Sequence, residues 1–213
     1  MEKIVLVGAG GHCKVIIDII KSVGKYDIIG VTDTTFRGQK LVLDIPIIGD
    51  DSILKKLYND GVKNAFVCIG ALQNIRLRDK IYNKLKDIGF NIPVLIHKDA
   101  IVSSYASIAA GTCVMPGAII NPGVSIEENC IINTGVVIEH ECKIQRNTHI
   151  SPKACIAGGV KVGHDTHVGM GSCIIQTLHI GNNVIIGAGA VVINNVEDNV
   201  VAVGVPSKII KRR

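Results

Sequence analysis

An α/β domain followed by a β-helix solenoid is the fold class this sequence predicts, and three observations predict it. An apolar run, Lys3-Ile4-Val5-Leu6-Val7, leads straight into Gly8-Ala9-Gly10-Gly11-His12, and a helical pattern follows. From Ile96 to about Glu197 one six-residue pattern repeats without a break, and stepping by six from Ile96 to Val192 meets Ile or Val every time. Aromatic residues are scarce and none occurs after Tyr105, as suits a narrow prism filled with aliphatic side chains.

Lys3 to Val7 reads as a short buried strand. From about Cys13 to Val23 the residues Val15, Ile16, Ile19 and Ile20 share one helical face, and Ile28 to Thr32 forms a second strand ending at Asp33. These elements make a Rossmann-like βαβ unit with a glycine-rich first turn. There the bare backbone approaches a phosphate and the helix N-terminus favours the anion. Cys13 stands where G-x-G-x-x-G requires its third glycine. That counts against a dinucleotide such as NAD and leaves a mononucleotide, a nucleotide-sugar or a plain tight turn. Asp33 lies where an acceptor for ribose or base would sit, or is a simple strand-end cap.

Farther on, Ile45 to Ile48 is a weak strand and Asp51 to about Asn59 a helix. Ala65 to Ile69 is a buried strand, and Ile75 to Ile88 a long amphipathic helix. Gly70 closes that strand beside the crevice where open α/β sheets bind ligands. The boundary falls near Asn91, dividing the chain into residues 1–91 and 92–213.

No helix has a six-residue period and a lone strand alternates by two, so the repeat specifies a solenoid in which each hexad supplies one strand and one corner. The aliphatic residue, position i, fills the core. At i+4 stands a small side chain such as Ala106, Thr112, Cys130 or Cys142, and only Leu178 is larger. Positions i+1 and i+5 point outward, while i+2 and i+3 make the corner. His140 and Glu141 occupy i+2 and i+3 of the Ile138 hexad. A carboxylate on one imidazole nitrogen fixes the tautomer and raises the basicity of the other, as a general base needs. Glu139, facing outward, competes for that orienting role. With three hexads to a coil, residues eighteen apart stack. One corner row is then Pro122, His140, Gly158 and Gln176, and another is Thr134, Pro152, Met170 and Ala188.

His164 and His167 form an H-x-x-H pair with no clear third ligand, so no metal is expected. The net charge of +5 is modest, and basic residues are scattered except for the tail Lys208 to Arg213, read as a solvated end or an anion contact. Without interleaved aromatics, nucleic acid is not an expected partner. The seven cysteines form no C-x-x-C pair, and Cys130 and Cys142 act as compact fillers, which suits a reducing compartment. No apolar run reaches the roughly 18 residues of a membrane span. With no signal-like start, the expected location is the cytoplasm.

Asn133-Thr134, Ile138-Glu139-His140-Glu141-Cys142 and His149 resemble the hexapeptide-repeat acyltransferases with an N-terminal nucleotide-sugar domain. Gly8 to His12, Leu95-Ile96-His97-Lys98 and Gly204-Val205-Pro206-Ser207-Lys208 extend the resemblance over essentially the whole chain. The pattern is similar in particular to bacterial N-acetyltransferases acting on UDP-4-amino-sugars in bacillosamine synthesis. GDP-perosamine N-acetyltransferases and sialic acid O-acetyltransferases are related. The resemblance implies a left-handed parallel β-helix, a homotrimer and acetyl-CoA as donor. It makes His140 the general base with Glu141 orienting it, and His149, Met170 and Ala188 acetyl-CoA contacts. It makes Gly10, Gly11, His12, Asp33, Thr34 and Gly70 nucleotide-sugar contacts. Close relatives often carry a second acidic residue where this chain has Thr34, which leaves the nucleotide base open. Since the His140 and Met170 rows lie on different edges of one prism, the expected active site lies between subunits.

Overall fold

The computed structural model describes residues 1–35, 40–70 and 75–213. The chain forms two compact units, Met1–Lys98 and Asp99–Arg213. In the first, β1 (Glu2–Val7), α1 (Gly11–Val23) and β2 (Tyr26–Thr32) make the expected βαβ unit. Then come β3 (Leu41–Val42), β4 (Ile45–Gly49), a 3-10 turn at Asp51–Ile53, α2 (Leu54–Asn59), β5 (Asn64–Val67), α3 (Ile75–Ile88) and β6 (Leu95–Ile96). The sheet order is β3-β4-β2-β1-β5, parallel except for the β3–β4 hairpin. β1 has neighbours on both sides, which is why its Ile4, Val5, Leu6 and Val7 form an unbroken buried run. From β1 the chain turns to β2 on one side, and β5 returns on the other. The crevice at the carboxyl ends of β1 and β5 is therefore the switch point of the sheet.

Several boundaries differ from the sequence reading, β2 for instance beginning at Tyr26 rather than Ile28. α1 begins at Gly11 rather than Cys13, because glycines carry no periodicity. It ends at Gly24, whose φ of 70° and N–H bond to the Ile20 carbonyl make a left-handed cap. β5 stops at Val67, short of Ile69, because the buried Arg78 guanidinium takes the Val67 and Ile69 carbonyls at 3.0 and 2.9 Å. β3 has two residues, one of them exposed, and so leaves no pattern to read.

In the second unit each hexad aliphatic from Val102 to Val192 is the second residue of a two-residue strand followed by a turn. Strands pair in parallel with those eighteen residues away, as in Ile119↔Val137, Ser125↔Lys143 and Ile131↔His149, giving three sheets around one core. The inward aliphatics from Val114 to Val192 are at most 2% exposed. The small i+4 residues fill the corners. Thr112, Thr148 and Thr166 satisfy their buried hydroxyls on the carbonyls of Glu127, Gly163 and Gly181, each at 2.9 Å. Burial pushes the Cys142 thiol up, consistent with a filler. Leu178, too large for its corner, is half-buried.

The outward rows differ. One sheet presents Ile101, Ile119, Val137, Cys155, Cys173 and Val191, all apolar or thiol. The next presents Ser107, Ser125, Lys143, Lys161 and His179. The C-terminal residues are not a loose end: Lys208–Arg212 forms an antiparallel strand on Val200–Val203, and Arg212 bonds Glu197 at 2.9 Å. Alternation is blurred there because every residue of the strand is exposed.

From Gly111 to Gly189 the i+3 residue of each corner has positive φ. Glycine meets this freely, and asparagine tolerates it. At one corner Asn129, Asn147 and Asp165 also form a ladder, Asn129 Nδ2 to Asn147 Oδ1 at 2.8 Å and Asn147 Nδ2 to Asp165 Oδ1 at 3.0 Å. Asn147→Val combines a left-handed β-branched residue with broken buried bonds. It is expected to cost about 2–5 kcal/mol, read as a lower denaturation midpoint.

Candidate active site

The glycine-rich turn opens on a cavity of about 670 Å³ at the switch point of the first unit. All six residues expected to contact a nucleotide-sugar line it: Gly10, Gly11, His12, Asp33, Thr34 and Gly70. Its glycines serve different ends. Gly8 is the tight-turn glycine, with φ of 104° and a would-be Cβ 2.9 Å from Ile69 Cγ1. Gly10, Gly11 and Gly70 have no left-handed φ, and a Cβ on any of them meets nothing within 4 Å among the described residues. Among the described residues nothing requires glycine at these three positions. The helix start at Gly10 carries no side-chain cap, so its backbone donors stay available to an anion.

Asp33 is more engaged than the sequence shows. Oδ2 accepts from the Ala9 N–H at 2.7 Å, and Oδ1 accepts from the Thr35 N–H and hydroxyl at 2.7 and 2.6 Å. Burial pushes its carboxyl up, but the bonds from Thr35 and Ala9 outweigh this and hold it below the ordinary carboxylate range. Asp33 therefore braces the glycine-rich turn. Burial, then the Arg78 guanidinium, pushes His12 down to about 3, so its ring is neutral at pH 7, and its buried Nε2 has no partner among the described residues.

Sequence reasoning missed Asp51, Lys80, Lys84 and Arg78. The first three line the cavity, and Arg78 lies 1% exposed beneath its floor strand. A signal existed for Arg78: it falls on the buried face of α3 with Ile81, Tyr82 and Leu85.

In the solenoid the two corner rows stand as expected, each stitched by backbone bonds. Glu141 N–H to Pro122 O, Gly159 N–H to His140 O and Thr177 N–H to Gly158 O tie one row. Lys153 N–H to Thr134 O, Gly171 N–H to Pro152 O and Gly189 N–H to Met170 O tie the other. His140 and Met170 thus sit at different corners, with the apolar outward sheet between them. His140 Nδ1 lies 3.5 Å from Glu141 Oε2, both side chains being largely exposed. Gly158 supports the imidazole closely: a Cβ there would lie 2.6 Å from His140 Nε2 and Cε1. His149 is buried, with Nε2 3.1 Å from Asn133 Nδ2, and its ring packs edge-on against His167 at 4.9 Å between centroids. Met170 is exposed. His164 turns away to Asp165, Nδ1 to Oδ2 at 2.8 Å. Among the described residues no three His, Cys, Asp or Glu side chains group to hold a metal.

The PglD N-terminal domain family matches residues 3–85. A histidine-to-asparagine variant of perosamine N-acetyltransferase from Caulobacter crescentus, solved with CoA and GDP-perosamine, is 36% identical. The match covers 99% of this chain and 98% of that one, with a TM-score of 0.93. The acetyltransferase domain of PglB from Neisseria gonorrhoeae with acetyl coenzyme A is 33% identical over 98% and 99%, with a TM-score of 0.91. This chain belongs to the hexapeptide-repeat sugar acetyltransferase family. WeeI from Acinetobacter baumannii, 21% identical over 99% and 100% with a TM-score of 0.84, shares the fold. The solenoid is accordingly the left-handed parallel β-helix of these acetyltransferases.

One further property of this acetyltransferase follows from its buried imidazoles. Burial, then Arg213, pushes His167 down to about 4. A histidine with a folded pKa below its unfolded value near 6.5 stabilises least in acid. Its contribution is complete above about pH 6.5 and falls by up to about 1.4 kcal/mol per pH unit below that, until the folded pKa is reached. The melting temperature should therefore drop between pH 6.5 and 4.5, and His167→Gln should flatten that slope.

Proposed function

We propose that the protein is an acetyl-CoA-dependent N-acetyltransferase acting on the 4-amino group of a nucleotide-linked amino-sugar, with a UDP-linked sugar as first candidate. The glycine-edged cavity carries this reading. Gly10, Gly11 and Gly70 offer bare backbone, as a diphosphate requires, where nothing among the described residues demands glycine. His12 and Thr34 complete the contact surface, and Asp33 both braces the turn and borders the ligand. The motifs shared with UDP-4-amino-sugar enzymes favour UDP. GDP-perosamine is the second reading, favoured by the likeness to the Caulobacter enzyme over nearly the whole chain.

His140 is the general base. Glu141 lies on its Nδ1 side, leaving Nε2 for the substrate, and Glu139 on the outward face is the alternative orienting group. The sugar amine attacks the thioester carbonyl carbon and yields a proton to His140. The C–S bond then breaks, and the departing thiolate takes the proton back as CoA. Backbone N–H groups near the glycine corners stabilise the oxyanion, worth about 3 kcal/mol per donor in known cases. His149, Met170 and Ala188 contact acetyl-CoA, and the active site lies between subunits of a homotrimer. The apolar outward sheet supports this: it is bounded by the His140 row on one edge and the Met170 row on the other. Copies that bury it bring one row against the other. Seven free cysteines fit a reducing, cytoplasmic setting.

Mass spectrometry after incubation with acetyl-CoA and UDP-4-amino-sugars, GDP-perosamine or sialic acid is expected to show N-acetylation of a nucleotide-sugar. Acetylation of sialic acid alone would overturn the reading and favour an O-acetyltransferase. His140→Ala should lower kcat roughly a hundred- to ten-thousand-fold with an unchanged oligomer in size-exclusion chromatography. An unchanged kcat removes His140 from the mechanism.

A further inference from the structure

Given the proposal that this cavity holds a nucleotide, we infer that Asp51 reads the base, selecting keto bases, which carry a ring N–H, over amino bases, which present a ring lone pair there. The acceptor expected at the end of β2 is Asp33, yet both its oxygens are committed to Ala9 and Thr35. Asp51 lines the same cavity and is a buried carboxylate, 8% exposed. Its Oδ1 accepts from the buried Thr32 hydroxyl at 2.8 Å. No hydrogen bond or ion pair reaches its Oδ2 among the described residues. Asp51 Oδ2 is not sealed from solvent, so it stands as an acceptor that a ligand N–H in the cavity can use.

The topology puts Asp51 where a base belongs. The diphosphate is assigned to the β1–α1 turn. β2 pairs beside β1, β4 beside β2, and Asp51 follows β4 directly. The nucleoside therefore extends from the turn across the end of β2 toward Asp51. Lys80 and Lys84 stand on the same wall, and Lys84 Nζ donates to the Asp51 carbonyl at 3.2 Å. Uracil and guanine each place a ring N–H next to a carbonyl oxygen, matching a carboxylate acceptor beside ammonium donors. Cytosine and adenine set a lone pair against the carboxylate and an amino group against the lysines. A site built to accept an N–H discriminates strongly when the ligand lacks it.

The test is isothermal titration of the full chain with UDP, GDP, CDP and ADP. Wild type is expected to bind at least one keto diphosphate about tenfold or more tighter than either amino diphosphate. Asp51→Asn keeps an oxygen for Thr32 but supplies an N–H, so its keto-to-amino ratio should fall toward one. On wild type, N3-methyl-UDP and N1-methyl-GDP should bind about tenfold more weakly than their parents, a measurement that needs no variant. Equal binding of all four diphosphates, undiminished binding of the methylated ones, or an unchanged ratio in a folded Asp51→Asn would overturn the assignment to Asp51 alone. Failure of wild type to bind any nucleoside diphosphate overturns the nucleotide reading of the cavity, and this assignment with it.

Discussion

The ladder of parallel backbone hydrogen bonds between strands whose paired residues lie eighteen apart is the constraint on which the solenoid depends. A strand of two residues is far too short to hold a sheet alone, so each takes its position from the coil before it. The same ladder runs through the corners, where Gly159 N–H bonds the His140 carbonyl and Gly189 N–H bonds that of Met170. Side chains with no structural duty are thereby held in fixed rows. The imidazole of His140 stays exposed yet defined, because Gly158 lies close against its ring and Glu141 beside its Nδ1.

The first unit solves a different problem. In the proposed function it presents backbone N–H groups to an anion without collapsing the turn that carries them. Asp33 answers this by tying Ala9 on one side and Thr35 on the other. Arg78 does comparable work from below, holding two carbonyls of the strand end with its buried guanidinium. A neutral His12 above such a cation avoids adding a second positive charge to the buried region.

Much of this was legible in the sequence, and the reasons for the rest are physical. The hexad core was legible because packing admits only Ile or Val at the centre of each face, and the corner rows followed by counting. Of the six cavity residues, the glycine-rich turn, Asp33 and Gly70 were legible because such turns and strand ends have fixed places in an α/β sheet, whereas Thr34 came only from the family resemblance. Asp51, Lys80 and Lys84 were not, since they come together across β4 and α3, which no local pattern links. The double commitment of Asp33 was invisible for the same reason: Ala9 lies in another turn. The C-terminal strand escaped because its exposed residues carry no alternation. The left-handed i+3 positions were written in the frequency of Gly and Asn at those corners, but Glu141, Lys153, Asp165 and Thr177 broke that pattern.

The interchangeability of the hexads has a consequence for how such a protein can change. A solenoid is a one-dimensional lattice, and its core recognises only the phase of the six-residue period. Adding one hexad between His140 and Met170 would leave every aliphatic stacked and every small corner filled. The downstream coils would nonetheless turn by a third of a revolution, carrying Met170 onto the edge that holds His140. Folding is nearly blind to such an error and the proposed chemistry is not, so the length of chain between the two rows is itself an element of the proposed active site.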